Sequence, residues 1–350
     1  MAYASERAAG LRQDDIVLEA LPDEVTASIE IRDRWLATLS DDGNTLEFLV
    51  SDIRSWAPGQ TVRVAFLGGD AELHAAIEDA CRQITEACRL TLSFRDGNGY
   101  RTWTPQDRRY AGEIRVSFDM DGYFSLVGAD SIAPNIGPAG SPVGGRPHQR
   151  SLNLEGFDQT LPPRWKGTVR HEFLHALAFQ HEHQNSRGPC EAAFRWEDDP
   201  GYQPTQDADG RYIPDAAGRR PGIYTYLSGF PNHWSRAKVD HNLRSIRVVG
   251  GITASPFDPA SCMLYRFPAM FYQTSPSPCS PIGDGQDLSD GDRAGLRHLY
   301  PEQPAAHERI AERRLALAND IEGRAGQRAT ESAASSLAED TVIQLRAGLA

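Results

Sequence analysis

One thirteen-residue window, HEFLHALAFQHEH at 171–183, constrains this chain more than any other feature. It holds four of the chain's ten histidines. On a helix, His171 and His175 lie one turn apart on one face, so both rings can converge on a single ion. Glu172 is the next position round and reaches the space beside that ion. His181 lies beyond the helix end and completes a three-histidine set. Three protein ligands with a fourth position left open is the arrangement of a catalytic zinc (Zn2+), one ion per chain, whereas structural zinc sites are closed by four. The competing reading is a helix carrying exposed or core histidines and no metal.

The window resembles the zinc signature of the metzincin peptidases, HExxHxxGxxH, and the Glu-His after its third histidine resembles the astacin family. Other segments agree with that family in order along the chain. SCMLY at 261–265 is similar to its Met-turn, and LSDGDRAGLRHLY at 288–300 to the helix that closes its catalytic domain. WAPGQTVRVAF at 56–66 is similar to its first strand; IRVSF at 114–118 and SLVG at 125–128 fall where its later strands would. The resemblance covers roughly residues 56–301. The zinc motif and the Met-turn are specific, and the strand matches are useful mainly for their order. Ala178 departs from the pattern, because the family has glycine there. That glycine lets the chain leave the helix with positive φ, so that the third histidine swings back to the metal. Alanine reaches the same conformation at about 1–2 kcal/mol, and a bound metal is worth far more. The expectation is a strained or slightly re-routed turn with His181 retained.

The resemblance implies an α+β fold: a metzincin-like domain with a twisted, mainly parallel mixed sheet and two long helices, above a mostly irregular C-terminal subdomain. It implies a zinc metalloendopeptidase in which His171, His175 and His181 hold the ion. Glu172 is then the general base, and Tyr265 an O–H donor to the developing oxyanion. Met263 is a buried floor, since a thioether is a poor zinc partner beside three imidazoles. Glu182 matches the glutamate that pairs with the new N-terminus after pro-segment removal, which would place the mature start near Trp56. FLGGD at 66–70 superficially resembles the family's inhibitory FxGD, but has one residue too many and falls in a core strand. Asp41, Asp42 and Asp52 are the other candidates for that role. A protein or peptide substrate would pair as an extended strand with an edge strand near 123–128. Side-chain preference would come from a pocket beside the zinc involving Arg266 or the insertion at 187–225. The alternatives are a zinc-bound pseudoenzyme or protein-binding module, and a structural protein without metal. Glu172, which a non-catalytic metal site does not need, favours the enzyme.

At 350 residues the chain can bury a large core. A net charge of −12 argues against nucleic acid or an anionic membrane as partner. No apolar run is long enough to span a membrane, and the first twenty residues show no apolar signal-peptide core. Five cysteines cannot all pair internally. Cys81 and Cys88, seven apart in a helical pattern, are too far apart along its axis to bridge and read as core residues. Among Cys190, Cys262 and Cys279, one pair can form, for example Cys190 with Cys279; connectivity stays open, as does the absence of any disulfide.

Residues 1–55, acidic with an alternating stretch at 45–50, read as a pro-segment or appendage. Residues 56–301 read as the catalytic domain. Within it, strands are expected at 61–67, 90–94, 113–118 and 151–154, a helix over 71–88, and a Gly/Pro/Ser-rich loop at 129–145. Pro162 or Pro163 is expected to open the histidine helix. DADG at 207–210 resembles a calcium loop without its remaining ligands, and reads as a solvated turn. Residues 302–350 read as one or two amphipathic helices with Ile310, Leu315, Leu317, Ile321, Leu337, Ile343 and Leu345 as apolar positions, serving packing or oligomerisation.

Overall fold

The computed structural model describes residues 20–39, 52–97, 99–246, 255–327 and 332–349. The 45–50 stretch, Asp41, Asp42 and the first nineteen residues lie outside them. The chain divides into two compact units. Among the described residues, one comprises 21–39, 52–180 and 286–349, and the other Ala20, 181–246 and 255–285.

The larger unit is built on strands β1 (Thr61–Phe66), β2 (Thr91–Ser93), β5 (Ile114–Ser117), β6 (Tyr123–Ser125) and β7 (Leu152–Leu154), with β3 (Arg95–Asp96) and β4 (Gly99–Tyr100) as a separate hairpin. The sheet order is β2-β1-β5-β7-β6. β2, β1, β5 and β7 run parallel, and β6 closes one edge antiparallel to β7. The α+β class and the mainly parallel mixed sheet are as expected. Parallel neighbours need a crossover. Between β1 and β2 it is supplied by helices Ala71–Ala80 and Arg82–Ala87, the first capped by the Asp70 carboxylate on the Leu73 N–H at 2.8 Å.

The sequence pattern predicted one helix over 71–88; the structure breaks it at Cys81 and ends it before Cys88, which is extended at φ −153°. Both cysteines are buried and free, as core residues. Burial pushes the Cys88 thiol up to about 11, so it stays protonated at neutral pH. The 129–145 loop is held from inside by Arg115, which is fully buried. Its guanidinium donates to the carbonyls of Gln149 and Ser131 at 2.6 Å and of Gly144 at 3.0 Å. Burial lowers its pKa to about 10, against the opposing charges of Tyr110 and Glu113.

Helix Asp23–Ala37 and the C-terminal helices Pro304–Gln327 and Ser332–Arg346 belong to this unit. Leu36, Ile53, Ala318, Ile321, Ala338, Val342 and Leu345 form one buried cluster among them. The expected apolar stripe is partly displaced, since Leu315 and Ile343 are exposed and Arg314 is buried instead. Arg314 takes the inward position because its guanidinium donates to the carbonyls of Asp52, Ser55, Gln344 and Leu345. No helix among the described residues is long and apolar enough to cross a membrane.

The smaller unit is mostly irregular, as expected. It carries helices Cys190–Ala193, Ile223–Ser228 and Arg236–Leu243 and a hairpin of β8 (Thr205–Gln206) and β9 (Tyr212–Ile213). Its core is aromatic, with Phe194, Phe267, Phe271 and Tyr272 buried around Ile223, Leu227 and Val239. Cys190 and Cys279 form a disulfide inside it. By loop-closure entropy, a bridge spanning 89 residues contributes about 4–5 kcal/mol. The 207–210 segment is the hairpin turn. Asp207 accepts from the Asp209 and Arg211 N–H groups at 3.0 Å each, and buried Arg211 pairs with Asp209, so internal contacts engage both carboxylates.

Candidate metal centre

The site starts on helix Trp165–His175. The helix opens at Trp165 and not at Pro162 or Pro163, because Arg164 sits at φ 66°, outside the right-handed region, and separates the prolines from the first turn. Buried Arg170 donates to the Ala80 carbonyl at 3.0 Å and pins the helix to its neighbour. His171, Glu172 and His175 are buried, and the two imidazoles stand 4.8 Å apart, edge to face.

The helix ends as a Schellman turn. The Phe179 N–H reaches back to the Leu174 carbonyl at 3.0 Å and the Ala178 N–H to that of His175 at 2.9 Å. Ala178 carries the left-handed conformation that the turn demands, φ 72°. The expected strained turn is therefore present, with alanine where the motif favours glycine. Its methyl group faces Gly128, where a Cβ would lie 3.1 Å from that of Ala178 and 1.9 Å from the Arg54 carbonyl. Gly128, at φ 56°, has to be glycine for both reasons. Two further carbonyls beyond the helix end are also satisfied. Ala176 accepts from the Trp56 indole N–H at 2.8 Å, and Leu177 from the Tyr300 hydroxyl at 3.0 Å.

This turn aims the Phe179 carbonyl at His175 Nδ1, 2.8 Å away. A backbone acceptor on Nδ1 fixes the tautomer and leaves Nε2 as the ligand atom. Ala178→Gly is expected to relieve the left-handed strain and stabilise the fold by about 1 kcal/mol while keeping metal stoichiometry unchanged. A denaturant midpoint that falls in this variant would show that the methyl contact with Gly128 outweighs the strain.

Beyond the turn, His181 adopts an extended conformation, φ −65° and ψ 136°. One ligand atom from each of His171, His175 and His181 lies within 4.8 Å of the others, and among the described residues these form the one such group of metal-binding side chains. Three imidazoles, one oriented by a backbone carbonyl, are a donor set that fits zinc.

In the smaller unit, Met263 is buried and its carbonyl accepts from the Glu182 N–H at 2.9 Å. The Tyr265 ring lies 4.5 Å from that of His181. The Glu182 carboxylate accepts from the Asn185 amide and the Asp258 N–H, each at 2.9 Å. Arg266 is exposed and donates to the Gly283 carbonyl at 2.6 Å. Asp52 is buried and paired with Arg313 at 2.5 Å. In the larger unit, edge strand β6 packs against the histidine helix. Burial raises the Tyr123 phenol on that strand, and the charges of Glu155 and Glu172 raise it further. Sequence reasoning attached no role to His183, the fourth histidine of the window, or to the Phe179 carbonyl; the crowding of histidines was the one visible signal.

No protein-family model matches this chain, and no curated protein does. Solved structures are similar to it. Myroilysin is 22% identical with a TM-score of 0.48, the match covering 71% of this chain and 97% of that one. A crystal structure of myroilysin gives 20% identity and a TM-score of 0.42, covering 71% and 86%. High choriolytic enzyme 1, a hatching enzyme zinc-protease from the medaka fish Oryzias latipes, gives 18% and 0.38, covering 70% and 92%.

Proposed function

We propose that this protein is an astacin-like zinc endopeptidase, with His171, His175 and His181 as ligands of one zinc ion. The observation that carries the reading is the convergence of the three histidines within 4.8 Å, with Glu172 buried on the helix between two of them. Bound there, zinc supplies Lewis acidity and a water whose pKa is lowered towards 7. Glu172 accepts the proton of the attacking water and passes it to the leaving amine. Tyr265 offers an O–H to the oxyanion that develops on the scissile carbonyl, a contribution of a few kcal/mol in comparable sites. An extended peptide pairs through its main chain with the free edge of β6, a mode that needs little sequence-specific contact. Residues 56–301 form the catalytic part in this reading, flanked by 1–55 and 302–350.

The test is metal analysis of the purified chain alongside digestion of an unfolded protein substrate, before and after chelation and after zinc is returned. One zinc per chain, with cleavage abolished by the chelator and restored by zinc, is the expected result. Cleavage indifferent to chelation, or absence of bound zinc, defeats the reading. Bound zinc without cleavage, including in a chain starting at Trp56, points to the binding-module alternative.

A further inference from the structure

His183 is fully buried in the smaller unit and stacks on the two residues whose placement matters most there. Its ring centroid lies 5.0 Å from that of His181, with 29° between the planes, and 5.3 Å from that of Tyr265, with 25° between them. A third ring, Phe267, meets it edge-on at 5.1 Å. His183 is itself tethered, because its Nε2 lies 3.0 Å from the Asn242 carbonyl at the end of helix Arg236–Leu243. Next to it, the Gln184 amide donates to the His241 carbonyl at 2.9 Å, while the Gln184 carbonyl accepts from the Ile246 N–H at 2.9 Å. Two adjacent side chains therefore dock the segment after His181 onto the carbonyl end of one helix, where backbone acceptors are left without helical partners.

We propose that His183 is a positioning residue: a platform, anchored on the end of helix Arg236–Leu243, that sets the ring orientations of His181 and Tyr265. Two chain segments more than 80 residues apart, around 181 and around 265, are brought into register by one imidazole lying flat against both rings. Offset stacked rings hold each other's planes as well as their positions. A ligand free to rotate about χ1 and χ2 binds metal less tightly than one held in the binding orientation, and loss of such outer support commonly costs 10–100-fold in metal affinity or activity. The inference rests on the zinc reading above.

The test compares zinc affinity, measured by competition with a chromophoric chelator at 25 °C, in the wild type and in His183→Ala, His183→Phe and His183→Gln. His183→Ala is expected to lose about 10–100-fold in affinity. Its effect on kcat is expected to shrink when Tyr265→Phe is already present, since the two changes act through one contact. A residue that only fills space would lower the melting temperature and leave both readouts unmoved. If His183→Ala does not fold, the other two decide. Phenylalanine keeps the stacked face and loses the tether; glutamine keeps a donor for the Asn242 carbonyl and loses the face. Tighter zinc in His183→Phe than in His183→Gln supports the platform, and the reverse or equality overturns it. Wild-type affinity in a folded His183→Ala overturns it as well. Absence of zinc from the wild type would instead overturn the endopeptidase reading, so the two failures are distinct.

Discussion

Glu172→Gln is expected to lower kcat/KM for peptide hydrolysis by 10²–10⁴-fold while the protein keeps one zinc per chain. The two halves of that expectation come from different features. In the proposed site the three imidazoles supply the metal set without Glu172. The carboxylate can therefore be replaced by a neutral group of the same shape without emptying the site. What disappears is the proton acceptance proposed for this buried carboxylate. Because that function operates in the transition state, kcat falls and KM stays close to its starting value. Side-by-side kinetics and metal analysis settle the matter. More than a tenth of the activity remaining would remove Glu172 as the base, and loss of zinc together with activity would assign it to holding the site.

The second large effect concerns the loop that follows edge strand β6. Asp130 is fully buried and forms a bidentate pair with Arg32 of helix Asp23–Ala37, the second contact 3.1 Å long. Arg54 approaches the same carboxylate at 3.5 Å and also pairs with Asp33 at 2.8 Å. Burial by itself lowers the Arg32 pKa, and the charges of Asp130 and Asp33 override it, holding the guanidinium raised and charged. Removing one partner of such a pair strands the other in a dry interior, which costs about 3–5 kcal/mol. Asp130→Ala is expected to lose that much stability in urea titration. The double variant Arg32→Met with Asp130→Leu is expected to recover much of it, because no uncompensated charge is left. A loss below about 1 kcal/mol in the single variant would show that water or Asp33 takes over the pairing.

Much of the fold and of the site was legible beforehand, and the reasons differ from element to element. His171 and His175 could be read as one face because i, i+4 adjacency is a local property of any helix. Strands β1, β5 and β7 could be placed because Val62 and Val64, Ile114 and Val116, and Leu152 and Leu154 recur with the period of two that a strand imposes. The turn at Ala178 was expected from the resemblance, because the zinc signature has a glycine at that position. Other features resisted. The helix break at Cys81 has no proline or glycine to announce it. Pro162 and Pro163 looked like a helix start, but Arg164 turns left-handed in between. Leu315 and Ile343 fitted an apolar stripe, yet the inward place went to Arg314, whose value lies in four carbonyls supplied by distant residues.

The sequence alone determined the donor types, their helical spacing and the place of a carboxylate between them, because these depend on the order of residues along a few turns of backbone. Tertiary structure decided the rest. It brought Asp130 to Arg32 across 98 residues, closed Cys190 onto Cys279 across 89, and laid His183 against both His181 and Tyr265. Such contacts carry no local signature. Each exists because many weaker contacts have already met the loop-closure entropy of bringing distant segments together, and only the packed chain shows which pairs result.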